Sequence, residues 1–206
     1  MKKILIFVFF GIQFVCCYSD ELQKYEQKLE SEETIEYKII DNQDNKDKYD
    51  LELYATDTKR HKRLIYKKSG YSFYIHDGQN PFKKKKAILF SVISQKGEQD
   101  KPYICDLYYF NGIQGILNKL YSSTNFIYEL NYGKSIICIY DYEKSTLIPT
   151  IDFYTFPGME LLKTVVVQEM KNKHSYPDSL VFQDEEFIIE LSNDGPDYKK
   201  ISIPIK

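Results

Sequence analysis

Tryptophan is absent from this 206-residue chain, arginine occurs only as Arg60 and Arg63, and histidine only as His61, His76 and His174. The histidines are scattered, with no H-x-x-x-H or H-x-H pair, which removes the usual basis of a zinc site. No glycine-rich phosphate loop and no G-x-S-x-G elbow occurs. No apolar run reaches the roughly twenty residues that a membrane-spanning helix needs. Cysteine is limited to Cys16, Cys17, Cys105 and Cys138, with no C-x-x-C pair, so redox and metal chemistry lack support. The sequence therefore assigns no catalytic residue, no metal ligand and no cofactor.

What is there begins with Met1, Lys2 and Lys3, an apolar run from Ile4 to Val15, and then Cys16, Cys17, Tyr18 and Ser19. A basic start, about a dozen apolar residues and small side chains at the end make residues 1–19 an export signal. Two ways of ending it are open. Cleavage after Ser19 leaves Asp20 as the first mature residue. Alternatively, Phe14-Val15-Cys16-Cys17 resembles the lipobox of bacterial lipoproteins, with Cys17 as the lipid acceptor. That resemblance departs from the usual pattern, since Phe14 and Cys16 stand where Leu and a small residue are preferred. It implies a membrane partner reached through a lipid anchor, and a place in the cell envelope. Cleavage implies a secreted or periplasmic protein.

Residues 20–48 are acidic and poor in large apolar groups, and read as a polar spacer that adds little to stability. Charge is unevenly spread although the formal net is only −2. Residues 20–57 carry thirteen acids and five bases, whereas residues 58–101 carry twelve bases and three acids. The basic window has two foci, residues 59–63 and Lys83-Lys84-Lys85-Lys86. The second is a candidate polyanion or anionic-lipid contact, and the competing reading is a solvated hairpin tip. Nucleic acid is not an expected partner of an exported chain. Cys105 and Cys138 lie in β-like runs, and an oxidising compartment makes a disulfide between them one option and two buried thiols the other.

From residue 49 to residue 206 the chain reads as strands separated by turns, an all-β domain of sandwich or propeller-like antiparallel sheets. Runs rich in Ile, Val, Tyr and Phe alternate with Lys68-Ser69-Gly70, Asp77-Gly78, Asn111-Gly112, Tyr132-Gly133 and Pro157-Gly158. Only Gly115 to Ser122 suggests a helix in this body. Residues 109–120 echo residues 155–164, with Gly112 and Gly158 46 residues apart, near a blade period. Tyr132-Gly133-Lys134, Asp152-Phe153-Tyr154 and Glu160-Leu161-Leu162-Lys163-Thr164 together resemble a β-propeller blade.

One further resemblance fails in its context. Tyr74-Ile75-His76-Asp77-Gly78-Gln79-Asn80-Pro81-Phe82 is similar to a strand-and-loop segment of α/β-hydrolase esterases, but no elbow or alternating helix accompanies it. Acidic pairs such as Asp141 with Glu143, or Asp184-Glu185-Glu186, sit at turns and do not define a fixed separation across a cleft. The expected function is an exported, non-catalytic β-rich module that binds a protein, glycan or surface. A small exported hydrolase and a structural envelope component are the alternatives. Convergence of His76, Asp77 and His174 on one pocket would favour the hydrolase.

Overall fold

A computed structural model describes residues 23–24, 28–76, 86–97, 102–146, 149–168, 176–183, 185–192 and 199–204. These form four antiparallel sheets in chain order. Sheet I holds β2 (Thr34–Asp41), β3 (Tyr49–Thr56) and β4 (Lys62–Gly70). Sheet II holds β5 (Phe73–Ile75), β6 (Ala87–Gln95), β7 (Ile104–Asn111) and β8 (Ile116–Ser123), with the two-residue β1 (Gln23–Lys24) on the outer edge of β8. Sheet III holds β9 (Phe126–Asn131), β10 (Ile136–Asp141), β11 (Thr150–Thr155) and β12 (Leu161–Val166). Sheet IV holds β13 (Tyr176–Gln183), β14 (Glu186–Ser192) and β15 (Lys199–Pro204). Apart from β1, each strand pairs with its neighbours in sequence, so every sheet is an up-and-down meander and the architecture is all-β and propeller-like.

Side-chain periodicity explains which sheets lie inside the stack. Along β3, Leu51, Leu53 and Ala55 are buried and alternate with polar or half-buried residues, the pattern of a sheet covered on one face. β6, β7 and β10 instead carry near-continuous apolar runs, because both of their faces are covered. Phe90 and Phe110 pack with Leu51 and Leu53 between sheets I and II. Leu89 and Leu107 face the other way and meet Ile137 and Ile139 of sheet III. Ile151 and Phe153 then pack on Phe187 and Ile189 of sheet IV. Full burial of such side chains is worth about 1.5–3 kcal/mol each. Among the described residues no core cluster joins sheet I to sheet IV.

One hairpin design recurs three times. Glu52-Leu53-Tyr54, Asp106-Leu107-Tyr108 and Asp152-Phe153-Tyr154 occupy β3, β7 and β11, each with its middle residue fully buried. The tyrosine hydroxyl donates to the acid two residues earlier, at 3.1 Å in the Tyr154–Asp152 pair. The facing strand supplies a second partner: Lys67 to Glu52, Ser122 to Asp106 and Thr164 to Asp152. In all three the register slips between the buried residue and the tyrosine, leaving Ile65, Leu120 or Leu162 as the extra residue. Each connecting turn contains a residue with left-handed backbone, Arg60, Gly115 or Met159. A side-chain oxygen of Asp57, Asn111 or Thr155 accepts backbone N–H groups of the same turns.

This correspondence makes β5 and β9 equivalent first strands, and β13 opens sheet IV. Sheet I therefore starts at the second strand position and sheet IV stops at the third among the described residues. The extra residue is not covered equally in the three hairpins. Ile65 is 4% exposed and Leu120 9%, each lying under the next sheet, whereas Leu162 is 52% exposed.

Two expectations are corrected. In place of a helix over Gly115 to Ser122, Gly115 belongs to the turn and Ile116–Ser123 is strand β8, because pairing with β7 determines it and the slipped register turns Leu120 and Tyr121 to the same face. Residues 20–48 are not a spacer throughout: β2 pairs with β3 along its whole length, and Leu29 and Ile35 enter the first core. The Leu29 amide donates to the Gly112 carbonyl at 2.8 Å, and a Cβ on Gly112 would lie 2.7 Å from the Leu29 side chain. Ile35→Ala should therefore cost about 2–4 kcal/mol in urea unfolding. Tyr37→Ala, at a side chain 42% exposed on the same strand, should cost under about 1 kcal/mol. Equal small losses would return this segment to the status of a spacer.

Candidate functional site

First strands β5, β9 and β13 border a cavity of about 440 Å³, and β6 and β7 close its wall. Tyr74 and His76 come from β5 and its end, Ser91 from β6 and Cys105 from β7. Strand β9 contributes Phe126, Ile127, Tyr128 and Glu129, and β13 contributes Ser179 and Leu180. The position follows from the meanders. Among the described residues β5, β9 and β13 are each an edge strand of their sheet, and β9 lies against β13.

Alternation along β9 sends Phe126 and Tyr128 toward sheet II and Ile127 toward sheet IV. The Tyr128 ring lies against His76, with centroids 5.5 Å apart. Its hydroxyl is shielded from solvent and has no hydrogen-bond partner among the described residues. A buried hydroxyl left unpaired costs about 1–3 kcal/mol, and this one is enclosed by protein and does not open on the cavity. Burial also pushes the Tyr128 phenol well above its ordinary value, with Tyr74, Cys105 and Glu129 adding in the same direction. Glu129 is half-buried, and its carboxyl makes no hydrogen bond or ion pair among the described residues. Desolvation alone raises it from 4.5 to about 7.

The sequence-derived candidates are distributed as follows. Cys105 lines the cavity and Cys138 lies in the core between sheets III and IV, and both are free thiols. Burial pushes each thiol up, against a hydrogen bond from Ser91 at Cys105. Lys86 is a structural clip, with Nζ donating to the Ser31 carbonyl at 2.8 Å and also to the Glu30 and Glu33 carbonyls. Cys17, Lys83, Lys84, Lys85, Asp77 and His174 lie outside the described residues. Asp141 accepts from the Tyr121 hydroxyl at 2.7 Å and from the Glu143 and Lys144 amides, so it holds a turn together. The half-buried Glu129 has no motif in the sequence, where its only signal is a lone acid within an apolar strand.

A second polar cluster lies on the outward face of sheet I. Asp50 accepts from Ser69, from Lys67 at 2.9 Å and from Asn42 at 2.9 Å. Those bonds, the one from Ser69 foremost, lower its carboxyl to about 2, and the same ion pairing raises Lys67. A Ser–Lys catalytic pair needs a lysine that gives up its proton, and this one is held charged. The cluster is an ion network.

The sequence matches no protein-family model and no curated protein. Among solved structures the chain is similar to the β-propeller domain of the Trilobed protease from Pyrococcus furiosus, which has an open velcro topology. Identity is 13% and the TM-score 0.47, over 84% of this chain and 50% of that one. This chain thus spans half the length of that structure.

Glu129 generates a prediction with a definite sign. A carboxyl whose folded value is raised stabilises the fold least where it is ionised, so its penalty is complete above pH 7 and fades as pH falls toward 4.5. Glu129→Gln should raise Tm at pH 8 by about 2–6 °C and leave it unchanged near pH 4. A lower Tm at pH 8 would mean that the carboxylate is paired.

Proposed function

We propose that this protein is an exported, non-catalytic binding module, lipid-anchored through Cys17, that holds a small molecule in the cavity between its first strands. The cavity itself carries this reading, a space of about 440 Å³ that Tyr74, Phe126, Ile127 and Leu180 wall together with the polar His76, Ser91 and Glu129. Aromatic and apolar walls with a few convergent polar groups are the usual makeup of a small-molecule pocket. The chemistry of the walls favours holding over turnover, because the Cys105 thiol and the Tyr128 phenol are both driven toward their protonated forms. Export and anchoring rest on the apolar run and the cysteine pair at its end.

A hydrolase is the second reading, and one observation favours it: His76 and Glu129 line the same cavity. Removing a general acid–base group typically costs a hundredfold or more in rate. The binding-module reading predicts no hydrolysis of short-chain aryl esters or aryl glycosides above a heat-inactivated control. Turnover lost in both His76→Ala and Glu129→Gln, with the fold retained, would establish the hydrolase instead. For anchoring, the protein from a bacterial host should partition into detergent and Cys17→Ser should release it to the aqueous phase. An unmodified amino terminus at Asp20 in intact mass would refute the anchor.

A further inference from the structure

We propose that the open edge of β2 is a docking site for an extended peptide, which adds to sheet I as an antiparallel strand with apolar residues opposite Tyr37 and Ile39 and an acidic residue opposite Lys38. This surface is separate from the cavity, and the inference does not draw on the reading of the cavity as a ligand site.

The hydrogen-bond phase of β2 determines what its edge offers. In an antiparallel pair every second residue exchanges bonds with its partner, and the residues between point their N–H and C=O groups away. The Asn42 amide donates to the Lys48 carbonyl at 2.9 Å, so Ile40, Lys38 and Glu36 are the residues that bond to Asp50, Glu52 and Tyr54 of β3. Ile35, Tyr37 and Ile39 therefore turn their backbone groups to the other edge, where no strand pairs with β2 among the described residues. Their side chains share the face of Leu51 and Leu53, which packs on sheet II. Ile35 is buried there, but Tyr37 is 42% and Ile39 39% exposed.

Sheets II and III show what covers such an edge. Tyr37 faces Leu53, the buried middle residue of its hairpin, as Ser91 faces Leu107 and Cys138 faces Phe153. Ser91 and Cys138 are buried, and on their far side stand Tyr74 of β5 and Glu129 of β9, each in an antiparallel strand. Tyr37 has no such neighbour among the described residues, so an added strand would continue sheet I as β5 and β9 continue theirs. Phe73 and Ile75 pack on the same core and stay partly exposed, which favours apolar side chains on that face of the incoming strand. On the opposite face Lys62 engages Glu36 at 2.6 Å, and Lys38 is left to meet the new strand, where an acid stabilises and a base destabilises. Two-fold pairing of β2 with the β2 of a second copy would bring both second sheets to one face of the joined sheet, so a peptide without a fold of its own suits the edge better.

Amide exchange on the 15N-labelled protein tests this, with the peptide acetyl-KTVEVTVTK-amide as probe, whose glutamate stands opposite Lys38 in the proposed register. In the free protein the Ile35, Tyr37 and Ile39 amides should exchange quickly and those of Lys38 and Ile40 slowly. Saturating peptide should slow the first three at least tenfold. Tyr37→Pro removes one edge N–H and no bond to β3, so it should keep the spectrum of the fold and lose the peptide. The peptide with lysine in place of its glutamate should bind severalfold weaker to the wild type, and Lys38→Glu should reverse that order. Slow exchange of the three amides in the free protein at every concentration would show the edge already covered by this chain, and slowing that grows with protein concentration would show a second copy on it. Either result overturns the peptide site, as does a peptide that leaves the three amides unprotected. Equal binding of the two peptides to both proteins overturns the register and the acid opposite Lys38.

Discussion

Sheet-on-sheet burial is the constraint from which the other features follow. No α-helix exists among the described residues to cover a sheet, so each sheet finds its apolar cover on the next one. That requirement forces β6, β7 and β10 to be apolar on both faces and leaves β3 and β14 free to alternate. It also determines where polar groups are tolerated. Asp106, buried within sheet II, is pushed up by desolvation, yet hydrogen bonds from Ser122, Ser94 and Lys119 outweigh this and hold it below its usual range. The acid–tyrosine pairs thus let charged residues sit in strands flanked by core without losing their partners.

Much of the fold was legible in the sequence. The runs at residues 87–95 and 104–111 announce two-sided strands, and the echo of residues 109–120 in 155–164 marks the β7–β8 and β11–β12 hairpins as equivalents. The first copy of that hairpin escaped notice because Glu52 lies 54 residues before Asp106, whereas Asp152 follows at 46. Residues 115–122 imitated a helix because a slipped register breaks the two-residue period, and apolar spacing of three is then read as a helical face. Residues 29 and 35 looked too sparse to form a core element. A single Leu and a single Ile suffice there because the Gly112 carbonyl and Lys86 already hold the segment.

The candidate site was scarcely legible at all, and for a physical reason. It is assembled from strand edges far apart in the chain, and its chemistry comes from burial rather than from residue type. Glu129 is one of many acids, and only placement beside an apolar cavity gives it an unusual proton affinity. The motif that did stand out, around His76, delivers one histidine to the wall through a strand end that also anchors by its amide to the Leu89 carbonyl at 3.0 Å.

The linear order of four sheets and three cores gives the molecule a one-dimensional thermodynamics. Among the described residues sheet I and sheet IV each pack on a single neighbour, so peeling either away breaks one interface, while opening sheet II or III breaks two. Amide exchange should then be graded along the chain, slowest in β7 and β10 and fastest toward the ends. The cavity stands between the sheets that open last and the one that frays first, because β9 belongs to sheet III and β13 to sheet IV. Occupation of the cavity would tie the fraying end to the rigid centre, so a ligand held there would act as an interface beyond the three core clusters of the described residues.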